Sequence, residues 1–118
     1  MSSHNWGVGA VNFYNISSPE ELAAIARKAP GRMILRFYRL GCPACDRMTG
    51  TWMDMSRRQE YRPVTFVSIN VEENQVLSKH YKIERIPTFV CIDGGRPVSS
   101  FTGANVESLR RIIETGKP

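Results

Sequence analysis

Leu40-Gly41-Cys42-Pro43-Ala44-Cys45-Asp46 is a Cys-x-x-Cys motif that directly follows an apolar run. Residues 33–38, Met-Ile-Leu-Arg-Phe-Tyr, read as a strand, whereas residues 46–58 lack Pro and carry Met48, Trp52, Met53 and Met55 at mostly helical spacing. The two thiols therefore stand where a strand hands over to a helix. Pro43 suits the first helical turn, where a missing N–H costs nothing, and this leaves Cys42 at or just before the helix N-terminus. Unpaired N–H groups and the helix dipole at that point favour a thiolate over a thiol. Cys42 is thus the expected nucleophile. Cys45 lies one turn deeper, close enough to close a disulfide by attacking whatever Cys42 has bonded to.

A Cys-x-x-Cys pair is also half of many zinc sites, but the other half is a second close pair of Cys or His ligands. The sequence offers none: Cys91 is alone inside an apolar run, and His80 and His4 have no partners at finger spacing. Purely structural cysteines are the other alternative. The strand-to-helix placement within a βαβ pattern is the context that favours redox chemistry over both. No metal and no bound cofactor is implied.

Composition sets the outer bounds. A chain of 118 residues is one domain, large enough to bury a core without staples. Three cysteines are too few for a disulfide scaffold, and the odd one, Cys91, is expected to stay a free, buried thiol. Residues 1–9 are polar and Gly-rich and read as a flexible arm ahead of a domain at 10–118; no apolar h-region or membrane-spanning run is visible, so a cytoplasmic protein is expected. The net charge is +5, from 16 basic and 11 acidic residues. The arginines are spread along the chain with no basic run interleaved with aromatics, which argues against nucleic acid as partner. Arg36, Arg39, Arg47, Arg57 and Arg58 nevertheless fall in the segments flanking Cys42, where a positive field would favour a thiolate and steer acidic partners.

Outward from the motif, residues 10–14 alternate as a short strand. Ser18-Pro19-Glu20-Glu21 then announces a helix, with Ser18 as N-cap and Glu21 closing a capping box, and Pro30-Gly31 stops it. Residues 33–38, apolar on both sides apart from Arg36, predict a central strand covered on both faces. Residues 64–71 supply a β-branched strand, and 73–81 a short helix with Val76, Leu77 and Tyr81 inward. Ile86-Pro87-Thr88 opens the next strand, Asp93-Gly94-Gly95 turns it tightly, and residues 96–102 return. Asn105 caps a last helix with Leu109, Ile112 and Ile113 inward. The order β-α-β-α-β-α-β-β-α predicts an α/β fold: a mixed central sheet of about five strands flanked by about four helices.

Over nearly its whole length, from about residue 11 to 113, the chain resembles the thioredoxin family. Four features carry the resemblance together: Cys42-Pro43-Ala44-Cys45 after the second strand, Ile86-Pro87-Thr88, the Asp93-Gly94-Gly95 hairpin, and Gly103 before the final helix. The resemblance implies a thioredoxin-like fold in which Pro87 is the family's cis-proline, set against the active-site disulfide. It also implies that Gly41, Pro43, Ala44, Ile86, Thr88 and Gly103 border the substrate, Ile86 offering its backbone to an extended chain. Departures are equally visible. Thioredoxins usually carry Trp-Cys-Gly-Pro-Cys, whereas here Gly41 replaces the Trp and Pro-Ala replaces Gly-Pro; Gly50 stands where a helix-kinking Pro is frequent. Arg36 replaces a buried Asp that helps move the proton of the second Cys, and Ser68 replaces that Asp's Lys partner. Arg36 cannot accept a proton in the working pH range. Arg36 and Arg39 are therefore read as tuning residues.

These readings converge on a thiol–disulfide oxidoreductase acting on disulfide-containing proteins. The expected partners are those substrates and an upstream reductase or low-molecular-weight thiol, with no nucleic acid or membrane, and the chain is expected to be a monomer. The alternative is a redox-inactive, thioredoxin-like module that binds partners through the groove around Gly41, Ile86, Pro87 and Gly103.

Overall fold

The computed structural model describes residues 12–118. The expected arm at 1–9, with Ala10 and Val11 of the first expected strand, lies outside the described residues. Along the chain come β1 (Phe13–Ile16), α1 (Pro19–Lys28), β2 (Met33–Tyr38), α2 (Pro43–Ser56), a 3₁₀ turn (Gln59–Tyr61), β3 (Thr65–Asn70), α3 (Gln75–His80), β4 (Thr88–Asp93), β5 (Arg96–Thr102) and α4 (Val106–Thr115). The sheet order is β1-β3-β2-β4-β5. β3 pairs in parallel with β1 and β2, joined through helices, while β4 is antiparallel to both β2 and β5. The mixed sheet and central position expected of residues 33–38 are both found.

Alternation along the strands sorts the core into two layers. Ile34, Phe66, Phe89 and Cys91 face α2 and α4, where they meet Met48, Trp52, Met55, Leu109, Ile112 and Ile113. Leu35, Phe37, Val67, Ile69 and Val90 face the other way, against Leu22 and Ile25 of α1 and Leu77 of α3. Trp52 is fully buried and anchors the first layer, its ring edge-on to Phe66 at 5.0 Å between centroids and tilted against Phe89 at 5.8 Å. Side chains of this size contribute roughly 1.5–3 kcal/mol each on burial, so the two layers supply the main cohesion of the sheet and helices. Among the described residues, no helix is long and apolar enough to cross a membrane.

Local chemistry explains the element ends. Ser18 caps α1 by accepting from the Glu21 N–H at 3.2 Å, but the Glu21 carboxylate accepts from the Ser17 N–H at 2.6 Å, so the box closes one residue earlier than expected. Gly94 and Gly95 have φ of 64° and 81°, the two positive values that a two-residue hairpin turn requires. α3 begins at Gln75 because Glu73 is held in a turn by Asn70, while the buried Asn74 side chain donates to the carbonyls of Ile16 and Asn70. On this short helix Val76 is 67% exposed, so Leu77 and Tyr81 alone of the three expected residues pack inward. Of the expected strand residues, Phe13 and Tyr14 lie in β1, which runs on to Ile16: its parallel register with β3 goes from Phe13↔Phe66 to Ile16↔Ile69, which buries Ile16.

Helix α2 runs unbroken through Gly50, which is exposed and has nothing within 4 Å of where a Cβ would stand. Gly50→Ala should therefore stabilise the protein by about 0.5–1 kcal/mol, since glycine costs about that much in a helix interior. In urea unfolding this is a higher midpoint with unchanged slope. A lower midpoint would show that the helix needs glycine's freedom at this point.

Candidate active site

Cys42 is the N-cap of α2, with extended backbone (φ −102°, ψ 108°) and Pro43 in the first turn. Its Sγ accepts from the Cys45 N–H at 3.2 Å, and its carbonyl accepts from Asp46 N–H at 2.9 Å. The sulfur thus takes the place of the hydroxyl or carboxylate oxygen that usually satisfies a first-turn donor. Cys42 and Cys45 are joined as a disulfide, with Cα atoms 5.2 Å apart. Both are buried in this state, Cys42 at 5% exposure and Cys45 at 1%, so Cys42 is the outer of the two. Cys91 is free and fully buried on β4, as expected, and burial pushes its thiol pKa up.

Topology brings the remaining candidates to the same end of the sheet. β2 runs toward Cys42; β4, antiparallel to it, starts there, with Phe37 opposite Thr88 and Pro87 just before. β5 returns to that end, Thr102 opposite Thr88, and the Gly103 N–H donates to the Pro87 carbonyl at 2.8 Å. The Ile86–Pro87 bond is cis, as the resemblance implied. Gly41 and Pro43 are exposed, and Ala44, Ile86 and Gly103 half-buried, so these five form the accessible rim. Thr88 differs. It is buried, with its hydroxyl donating to the Arg85 carbonyl or sharing a proton with Thr102, which ties the strand start rather than presenting a side chain. Gly41 has φ of 76°, a conformation in which a Trp would be strained, while Leu40 next to it is 71% exposed.

Arg36 enters the site from below. It is 6% exposed, on the face of β2 that meets α2, and its Nε donates to Ser68 Oγ at 3.2 Å across the β2–β3 register. Its Nη1 donates to Thr49 Oγ1 at 3.3 Å, and the Thr49 hydroxyl in turn donates to the Cys45 carbonyl at 3.2 Å. The guanidinium also lies over the Tyr38 ring, 4.3 Å from its centroid, and 5.7 Å from that of Trp52. Burial lowers the Arg36 pKa, and attraction to Tyr38 and Asp46 offsets part of that. A buried arginine ordinarily pairs with a carboxylate or extends its head to water. Here no carboxylate pairs with it among the described residues; two hydroxyls and two aromatic faces surround it. Arg39, by contrast, is exposed and donates to the Leu40 carbonyl at 3.5 Å, so its field is largely screened.

Thr49, Tyr38 and Trp52 were not singled out by the sequence as part of the site. Their spacing carries the signal: Thr49 is one helical turn beyond Cys45, and Tyr38 shares a strand face with Arg36. Among the described residues, no group of three or more His, Cys, Asp or Glu is placed to hold a metal ion.

A family model described as Thioredoxin matches residues 15–115. Thioredoxin-1 of Drosophila melanogaster is 30% identical over 81 residues, which cover 69% of this chain and 75% of that protein. Thioredoxin H2-2 of Oryza sativa subsp. japonica is 32% identical over 81 residues, covering 69% and 59%. In three dimensions the chain superposes on Fasciola hepatica thioredoxin with a TM-score of 0.82, at 24% identity, covering 88% of this chain and 99% of that one, which shows a shared fold. The family match spans both the cysteine pair at the start of α2 and the hairpin and final helix that complete the rim. The chain belongs to the thioredoxin family of thiol–disulfide oxidoreductases, enzymes that act on disulfide-containing proteins.

Proposed function

We propose that this enzyme reduces protein disulfides in two exchanges, with Cys42 attacking and Cys45 resolving. The Cys42 thiolate attacks one sulfur of the substrate disulfide, and the other substrate sulfur leaves as a thiol. Cys45 then attacks Cys42 Sγ, the remaining substrate sulfur departs, and the substrate has gained two electrons while Cys42–Cys45 becomes oxidised. The observation that carries this division is the cap: Cys42, the outer sulfur, accepts from the Cys45 N–H at 3.2 Å, a donor that would equally stabilise its thiolate. Gly41, Pro43, Ala44, Ile86 and Gly103 are the rim against which a substrate chain would lie, with the cis Pro87 between Ile86 and the strand behind them.

The same reading takes the protein to be a monomer in the cytoplasm, recharged by a reductase or a low-molecular-weight thiol. A third cysteine kept as a free, buried thiol suits a reducing compartment. Large exposed apolar side chains among the described residues are few and spread over the fold, Leu40, Val76, Val98 and Val106, which suits a monomer.

An insulin-reduction assay separates turnover from partner binding. The unmodified protein should reduce insulin and Cys42→Ser should lose all activity; equal activity in both would remove the catalytic role of Cys42. Cys45→Ser should accumulate mixed disulfides with substrate, whereas Cys42→Ser should not, and equal trapping by the two would abolish the division of labour.

Exposure also orders the thiols. After reduction, limited alkylation near neutral pH followed by peptide mapping should label Cys42 first and Cys91 last, because Cys91 is fully buried and its pKa is raised. Fastest labelling at Cys45 or Cys91 contradicts the assignment.

A further inference from the structure

We propose that Arg36 is a positioning residue for the resolving thiol: its buried positive charge stabilises the Cys45 thiolate, replacing by a fixed field the proton acceptor that a carboxylate would provide. The inference rests on the roles given to Cys42 and Cys45 above and adds how the second exchange is activated.

The geometry points one way. Arg36 is the only charged side chain buried among the described residues. Thr49 accepts from its guanidinium and donates to the Cys45 carbonyl, so one hydroxyl links the cation to the peptide of the resolving cysteine. The groups facing it are Tyr38 from β2, Ser68 from β3, Phe89 from β4 by register, and Asp46, Thr49 and Trp52 from α2, with Cys45 one hydrogen bond beyond Thr49. Of these, Asp46 alone carries a negative charge, and it is exposed and makes no ion pair with Arg36. The positive charge is therefore solvated but not neutralised, and in a buried site its field is screened far less than at the surface.

Cys45 needs such a field. At 1% exposure its surroundings disfavour a thiolate, yet only the thiolate can attack. None of Arg36, Ser68 and Thr49 is a base at working pH. In the balanced step, the Cys45 thiol loses its proton to solvent and the thiolate attacks Cys42 Sγ. The bond from Cys42 to the substrate sulfur breaks, and that sulfur leaves with the electron pair and takes a proton from water.

The test is stopped-flow reaction of the reduced full-length protein with 5,5′-dithiobis(2-nitrobenzoate), which releases one thionitrobenzoate as Cys42 attacks and a second as Cys45 resolves. In Arg36→Met the pH inflection of the second phase should rise by about one unit, slowing it about tenfold at pH 7, because a thiolate tenfold scarcer reacts tenfold more slowly. The first phase should change less. Thr49→Val, which keeps the charge and removes the hydroxyl link, should leave the inflection in place. An Arg36→Met profile superimposable on the wild type overturns the proposal, as does a Thr49→Val shift as large as that of Arg36→Met, which would assign the effect to the link. Release of only one thionitrobenzoate per wild-type molecule would instead reject the roles of Cys42 and Cys45. If Arg36→Met does not fold, the Cys42→Ser protein decides. Mass-resolved alkylation of Cys45 reaching half its maximal rate at or below the free-thiol value, about pH 8.5, supports the proposal, and a higher value overturns it.

Discussion

Strand β2 has to be covered on both faces, and most of this molecule is arranged to meet that demand. Ile34 points to one layer while Leu35 and Phe37 point to the other, all fully buried. A strand flanked by β3 and β4 and roofed on both sides cannot shift its register by one residue without exchanging its two apolar sets. That rigidity is delivered at its C-terminal end, where the chain turns at Gly41 and α2 begins. The cysteine pair sits on the join between the best-held strand and the helix that packs on it through Met48, Trp52 and Met55.

Arg36 is the exception inside that strand. Placing a guanidinium inside an otherwise apolar, buried strand costs free energy that an apolar residue would not. The fold offsets this with two hydroxyls and with the rings of Tyr38 and Trp52. The pattern around it is consistent. Ser68, its cross-strand neighbour, is small enough to leave room for the long side chain and carries the oxygen that Nε needs. A lysine at position 68 would place a second cation against the first, which gives a physical reason for the two residues to differ from the family pattern together.

Departures around the disulfide open the site rather than dismantle it. Gly41 holds a left-handed conformation, so the absence of a bulky ring there is matched by the backbone itself. Leu40 is left exposed in its place as the nearest large apolar side chain before Cys42. The cis Ile86–Pro87 bond and the hydrogen bond from the Gly103 N–H to the Pro87 carbonyl fix the opposite wall.

By itself, the sequence determined whatever depends on short-range chemistry. Ser18, Pro19 and Asn105 marked helix starts, Gly94-Gly95 marked a hairpin, two-sided apolar runs marked interior strands, and Cys42-Pro43-Ala44-Cys45 marked a redox pair at a helix cap. It was less informative where a long-range partner decides. β1 took its limits from pairing with β3, α3 was shortened by the Asn74 side chain reaching Ile16, and Val76 turned outward because a six-residue helix has only a narrow face to bury. Thr88 is apolar-flanked and close to Pro87 in sequence, yet its hydroxyl is consumed within the fold. Arg36 shows the boundary most clearly. The residue type announced a charge beside the thiols, but whether it would meet a carboxylate, reach water or lie buried against hydroxyls and rings depended on what β3 and α2 placed within a few ångströms of it, and only tertiary packing decides that.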